Sequence, residues 1–176
     1  FYNLASIMPV WKDGSTDIYL NIGRSENLLF YLIRGERVYS LNSKEDYLTI
    51  KKGDILFAPS NSYYISRVCL NSFENYSTGI CIKFSIKDEH GNEVIVGSPP
   101  QWVGHDIDGY FYDLFSKLHS TIIQGKGEKL YSKTLLSQLI DTLITYNRKE
   151  GFLNSYYKEI YPAIVKIERY PQEPIS

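Results

Sequence analysis

Up to the Pro99-Pro100 pair, short apolar runs alternate with polar turn clusters. "DIYLNIGR" (Asp17 to Arg24) gives way to "SEN". "LLFYLIRG" passes through Gly35 into "ERVYSLN". "SKED" precedes "YLTI", and "KKGD" precedes "ILFAP". "YYISRVCL", "YSTGICIKFSI" and "VIVG" follow, separated by "NSFEN" and "KDEHGNE". This spacing predicts about seven or eight short strands, the signature of a sandwich or small barrel.

After Pro100 the period lengthens. Phe111, Leu114, Phe115, Leu118 and Ile122 recur at helical spacing and mark one helix face. "GKGE" (Gly125 to Glu128) breaks it. A second helix carries Leu135, Leu136, Leu139, Ile140, Leu143 and Ile144. That stripe is broad enough to serve its own barrel and a partner helix. Gly151 ends it. A third helix is expected over roughly Tyr156 to Tyr170, kinked by or starting at Pro162. The expected fold is mainly β with C-terminal helices, over one domain or one domain plus an appendage.

Composition narrows the function classes. The 176 residues carry a formal net charge of -1, so no strongly basic nucleic-acid face is expected. The longest apolar run, "LLFYLI", is too short to span a bilayer. No leader is expected from the opening residues. The chain opens at Phe1 rather than Met, as a piece of a longer protein would. Cys69 and Cys81 make neither a disulfide framework nor a zinc site, which points to a reducing cytoplasm. The 16 tyrosines suit half-buried strands, and they also suit a pocket for polar, stackable ligands.

Catalytic motifs are thin. His90, His105 and His119 share no metal-pair spacing, and each is expected at a surface or boundary. In "GHDID" (Gly104 to Asp108) the acids are expected to cap the following helix. "GKG" at Gly125 follows a helix instead of a strand and is no phosphate loop. The barrel interior is the better site. Arg24, at the end of an apolar strand, is either an exposed strand end or a guanidinium fork for a ligand hydroxyl or carboxylate.

Residues 21–64 resemble the cupin-type effector-binding domain of AraC-family transcription regulators. The likeness lies in "L-x-Y-x-I-x-G" ending at Gly35, then "L-x-x-x-x-G-D-I-L-F-x-P", Tyr64, and a later strand ending in Lys83-Phe84. "SKTLLSQLIDTLI" resembles that family's dimerization helix, and "IYPAIVKIERYPQEPIS" the start of its DNA-binding domain. The resemblance implies a jelly-roll barrel, a cupin double-stranded β-helix, packed against α-helices. The implied division is a barrel at 1–98, a helical dimerization region at 99–153, and at 154–176 a linker leading into a DNA-binding domain.

"KKGDILFAPSNSYY" carries the spacing of the second cupin metal motif, with Asn61 in place of its glycine and Tyr64 in place of its histidine. Asn tolerates positive φ, but Tyr is a poor metal ligand at neutral pH. The first motif, aligned on Gly35, puts its ligand positions at Ile22, Arg24 and Leu28. Neither a metal nor another cofactor is expected.

In sugar-sensing members, positions resembling Arg24, Ser66, Gly79 and Cys81 contact the sugar. Arg24 and Tyr64 are the expected polar anchors, with Ser66 and Cys81 beside them. Trp11 is weighed as a stacking lid against an ordinary core or rim residue. Along "GICIKF", Ile80, Ile82 and Phe84 share one face and Cys81 the other, and which face lines the pocket stays open. The expected protein is the sensing half of a cytoplasmic regulator, not an enzyme. It would bind a small molecule such as a carbohydrate. It would form a homodimer through Leu136, Leu139 and Leu143, and reach DNA through a C-terminal helix-turn-helix outside this chain. The alternatives are a metal-free sugar isomerase or epimerase, and a free-standing sugar-binding module.

Overall fold

The computed structural model describes residues 1–41, 46–95, 98–125 and 130–146. Two compact units divide the chain, Phe1–Ile140 and Asp141–Ser176. The first holds β1 (Tyr2–Ile7), β2 (Val10–Trp11), β3 (Thr16–Ile18), β4 (Asn27–Arg34) and β5 (Glu36–Ser40). It continues with β6 (Tyr47–Lys51), β7 (Asp54–Ala58), β8 (Ile65–Cys69), β9 (Ser77–Ser85), β10 (Gln101–His105) and α1 (Tyr110–Ile123). A further helix, α2, covers 130–146, and its residues 141–146 are the described part of the second unit. Among the described residues no helix is long and apolar enough to cross a membrane.

The strands form two antiparallel sheets. One runs β1-β9-β4-β7-β10, with β2 also paired to β9, and the other runs β3-β8-β5-β6. From β4 to β9 the chain crosses between them repeatedly, as a jelly roll requires. The expected fold class, mainly β with C-terminal helices, is the one observed.

β4 explains the layering. "NLLFYLIR" is apolar at nearly every position because both of its faces are covered. Leu28, Phe30 and Leu32 face the space between the sheets, in one cluster with Tyr39, Ile50, Leu56, Tyr64 and Cys81. Leu29 and Tyr31 take the other face, opposite Ile82 and Ile80 of β9. There α1 lies against β1 and β9, and Phe115 packs on the Tyr31 ring at 5.5 Å. The question left open along "GICIKF" is thereby answered. Cys81 points inward, and Ile80, Ile82 and Phe84 are buried on the opposite face.

α1 begins where the acids of "GHDID" cap it. Asp106 accepts the N–H groups of Gly109 (3.1 Å), Phe111 (3.2 Å) and Tyr112 (2.9 Å), and the Tyr31 hydroxyl at 3.0 Å. These bonds occupy donors that a helix start leaves free. The helix buries Phe111, Phe115 and Leu118, as the stripe predicts.

The structure differs from the sequence reading at three places. Residues 101–105 are strand β10 on β7, inside the span expected to be helical from 99. "QWVGH" is short, and its pairing is interrupted between Trp102 and Gly104, so its period does not show. β1 and β2 precede the first strand expected. Residues 19–26 connect β3 to β4, with a turn at 20–22, so Arg24 sits in a connection and not on a strand. Leu136, Leu139 and Leu143, the residues expected at a dimer seam, are buried. The third helix and the 154–176 segment lie outside the described residues.

Two predictions follow from this packing. A Cβ on Gly79 would stand 2.4 Å from both Phe30 Cε2 and the Tyr31 carbonyl oxygen. Gly79→Ala should therefore lower unfolding stability by about 1–3 kcal/mol in urea titration, the range for an overpacked core. Separately, His119 Nδ1 of α1 lies 2.7 Å from Ser6 Oγ of β1, and burial holds its pKa below the ordinary 6.5. As pH falls, the unfolded chain takes up this proton first. The associated stability is full above 6.5 and is lost as pH drops through the lower folded value. Stability measured from about pH 7 to about pH 5 should fall more steeply in the wild type than in His119→Gln.

Candidate ligand-binding site

Two turns build the site by holding each other. The Arg24 N–H donates to the Ser62 carbonyl at 3.0 Å, and the Asn61 N–H donates to the Arg24 carbonyl at 2.7 Å. Asn61 takes φ 58°, the left-handed conformation expected where it replaces a glycine. Gly23 takes φ 69°, and a Cβ there would press on the Asn61 and Tyr63 side chains at 3.1 Å. This clasp brings Arg24 and Tyr64, 40 residues apart, into contact: Arg24 Nη1 donates to the Tyr64 hydroxyl at 3.0 Å. The Tyr64 ring lies between Tyr19, at 4.9 Å, and Tyr39, at 5.5 Å.

Beside this pair, between the sheets, is a cavity of about 200 Å³. Arg24, Tyr64, Ser66, Cys81 and Trp11 all line it. Of the positions aligned with metal ligands, Arg24, Leu28 and Tyr64 line the cavity, whereas Ile22 is 90% exposed. Gly79 lies beneath the Phe30 ring. The Ser66 hydroxyl is already engaged, accepting from Arg37 at 2.9 Å and donating to Asp17 at 3.3 Å. Trp11 packs edge-on to Phe30, and the Arg37 guanidinium stands 4.2 Å from its ring centre. Trp11 is thus part of the wall.

Sequence reasoning missed Arg37, Asp17, Lys83 and the Tyr19 and Tyr39 rings, all of which line the cavity. The signal was present in "ERVYS". Alternation puts Arg37 on the face of Tyr39, and in "GICIKF" it puts Lys83 on the face of Cys81. Both charges lie near strand ends, where a solvent-facing reading is the ordinary one.

The cavity lining holds buried charge. Arg24 is 7% exposed and Arg37 3%, and each keeps a buried Nε without a hydrogen-bond partner. Arg37 pairs with Asp17. Arg24 has no carboxylate partner among the described residues; its neighbours are the Tyr64 hydroxyl and Tyr19. Burial pushes the Tyr64 hydroxyl up to about 12 and the Cys81 thiol up to about 11, and it raises Tyr39 as well. All three are uncharged at neutral pH. The lining offers donors, positive charge and apolar wall.

Tyr64→Phe tests the central contact. It leaves a second buried donor of Arg24 unpaired, which should cost about 1–3 kcal/mol in denaturant unfolding. Tyr63→Phe, whose hydroxyl bonds Asn61 at an exposed position, should have little effect.

No family model matches this sequence, and no curated protein does. The fold does match solved structures. One is ToxT from Vibrio cholerae with an unsaturated fatty acid bound: TM-score 0.56, 11% identity, 82% of this chain and 56% of that one. Another is ToxT from Vibrio cholerae O395: TM-score 0.55, 10% identity, 81% of this chain and 55% of that one. The chain spans a little over half the length of the ToxT chains it matches. At these identities the likeness is one of architecture: over some four fifths of its length, this chain has the fold of ToxT.

Proposed function

We propose that this chain is the effector-sensing domain of a transcription regulator, whose barrel binds a small molecule and whose helices pass the bound state to a DNA-binding segment. The carrying observation is the buried Arg24 guanidinium facing a cavity with no carboxylate partner among the described residues. A barrel that needed only to fold would be better served by an apolar side chain, since a lone buried charge is costly. A ligand offsets that cost in the bound state. The regulator part of the reading draws on the resemblance of "L-x-Y-x-I-x-G" and "G-D-I-L-F-x-P" to AraC-family domains. A structure of the same fold holding a fatty acid supports small-molecule binding.

A route to the helices runs through β9. Cys81 lines the cavity, and its carbonyl oxygen accepts the Ser6 hydroxyl at 3.2 Å. Ser6 in turn meets His119 of α1. A ligand that displaces β9 would bias α1, provided it binds one arrangement better than the other. A homodimer would use the exposed apolar residues of α2, Leu130 (71%) and Tyr131 (45%), in place of the buried leucines. The enzyme reading would require an acid-base pair at the cavity. Tyr64 and Tyr39 are held neutral there, and Asp17 is tied to Arg37.

The test uses the full gene product. A ligand found by thermal shift should change its affinity for DNA upstream of its own gene by about 5- to 150-fold. Arg24→Gln should abolish that change in fluorescence anisotropy. A ligand that binds without moving DNA affinity would sink the regulator reading.

A further inference from the structure

Arg24, Arg37 and Lys83 line the cavity against one carboxylate, Asp17. Arg37 and Asp17 pair, and neither Arg24 nor Lys83 has a carboxylate partner among the described residues. We propose that the ligand is a compact organic acid, its carboxylate held by Arg24 and its carbon skeleton against Leu28 and Phe30, in place of a neutral sugar. This rests on the effector-sensing reading and gives it a ligand class.

The unbalanced buried charge of Arg24 carries the argument. Nη1 is committed to Tyr64, and Nε is buried without a partner. Arg24 lines the cavity, and a guanidinium is a planar, permanently charged donor of the kind a carboxylate matches. A sugar hydroxyl would accept one N–H and leave the buried charge without a counter-charge. The Tyr64 oxygen already accepts from Arg24, so its own hydrogen is available to a ligand oxygen. The positive field converges: Arg24, Arg37 and Lys83 each act to lower the pKa of the Cys81 thiol, against the larger effect of burial. All three therefore bear on one point of the cavity wall.

Size limits the acid. A cavity of about 200 Å³ is somewhat larger than the roughly 150 Å³ that holds a benzene ring, which suits an acid of roughly ten non-hydrogen atoms. A long acyl chain exceeds that space. Leu28, Phe30 and Ile7 give the wall an apolar stretch that a bare inorganic anion would leave unmatched.

Calorimetry on the full-length protein at fixed ionic strength tests this with matched probes: glucuronate against glucose, then malate, oleate and inorganic phosphate. At least one compact acid should bind about 10- to 100-fold tighter than glucose, the span expected for hydrogen bonds to a charged group. Arg24→Gln should remove that preference, and Lys83→Met should reduce it. The wild-type acid-to-sugar ratio needs no variant, so a poorly folding Arg24→Gln leaves the test intact. Glucose binding as tightly as glucuronate, oleate or phosphate binding best, or no probe binding, would overturn the proposal. A neutral sugar that binds and moves DNA affinity would remove the acid and keep the regulator. An acid that binds without moving DNA affinity would do the reverse.

Discussion

The site depends on two backbone hydrogen bonds between turns that are distant in sequence. Arg24 and Asn61 exchange main-chain bonds with each other's segments, and Gly23 and Asn61 supply the left-handed conformations that bring the turns close. Without this clasp the Arg24 side chain would be an ordinary charge on a connecting loop. With it, a guanidinium is held under the sheet edge against Tyr64. Main-chain bonds make such a clasp tolerant of side-chain change, except where φ is positive.

The barrel was legible because its strands are punctuated by turn chemistry that does not depend on the partner strand. Gly53 at φ 86° and Asn61 at φ 58° close either end of "DILFAPSN", and both can be read directly from residue type. β10 was not legible. Its pairing with β7 is interrupted, and its role is set by contacts with residues some 50 positions earlier. The leucines of α2 show the limit of periodicity. A broad apolar stripe states how much surface must be covered, not whether the cover comes from the same chain.

The candidate site was half legible. Arg24 and Tyr64 could be placed by the spacing of a motif whose metal ligands had been replaced. Arg37 and Lys83 could not, because an inward charge near a strand end looks the same as a solvated one until the opposite sheet is in place. The pairing of Arg37 with Asp17, and the absence of such a carboxylate for Arg24 among the described residues, are facts of three dimensions. They decide the sign of the cavity's field, which composition, with a net charge of -1, gives no hint of.

β4 is one residue thick and is walled on both sides. Leu28 and Phe30 line the cavity, and Leu29 and Tyr31 belong to the opposite layer, where Tyr31 meets α1. Neighbouring codons in this stretch thus serve separate compartments. A substitution at an even-numbered position changes the cavity wall, and one at an odd-numbered position changes the packing of the opposite layer. The parity of a substitution along 28–31 therefore decides which of the two compartments feels it.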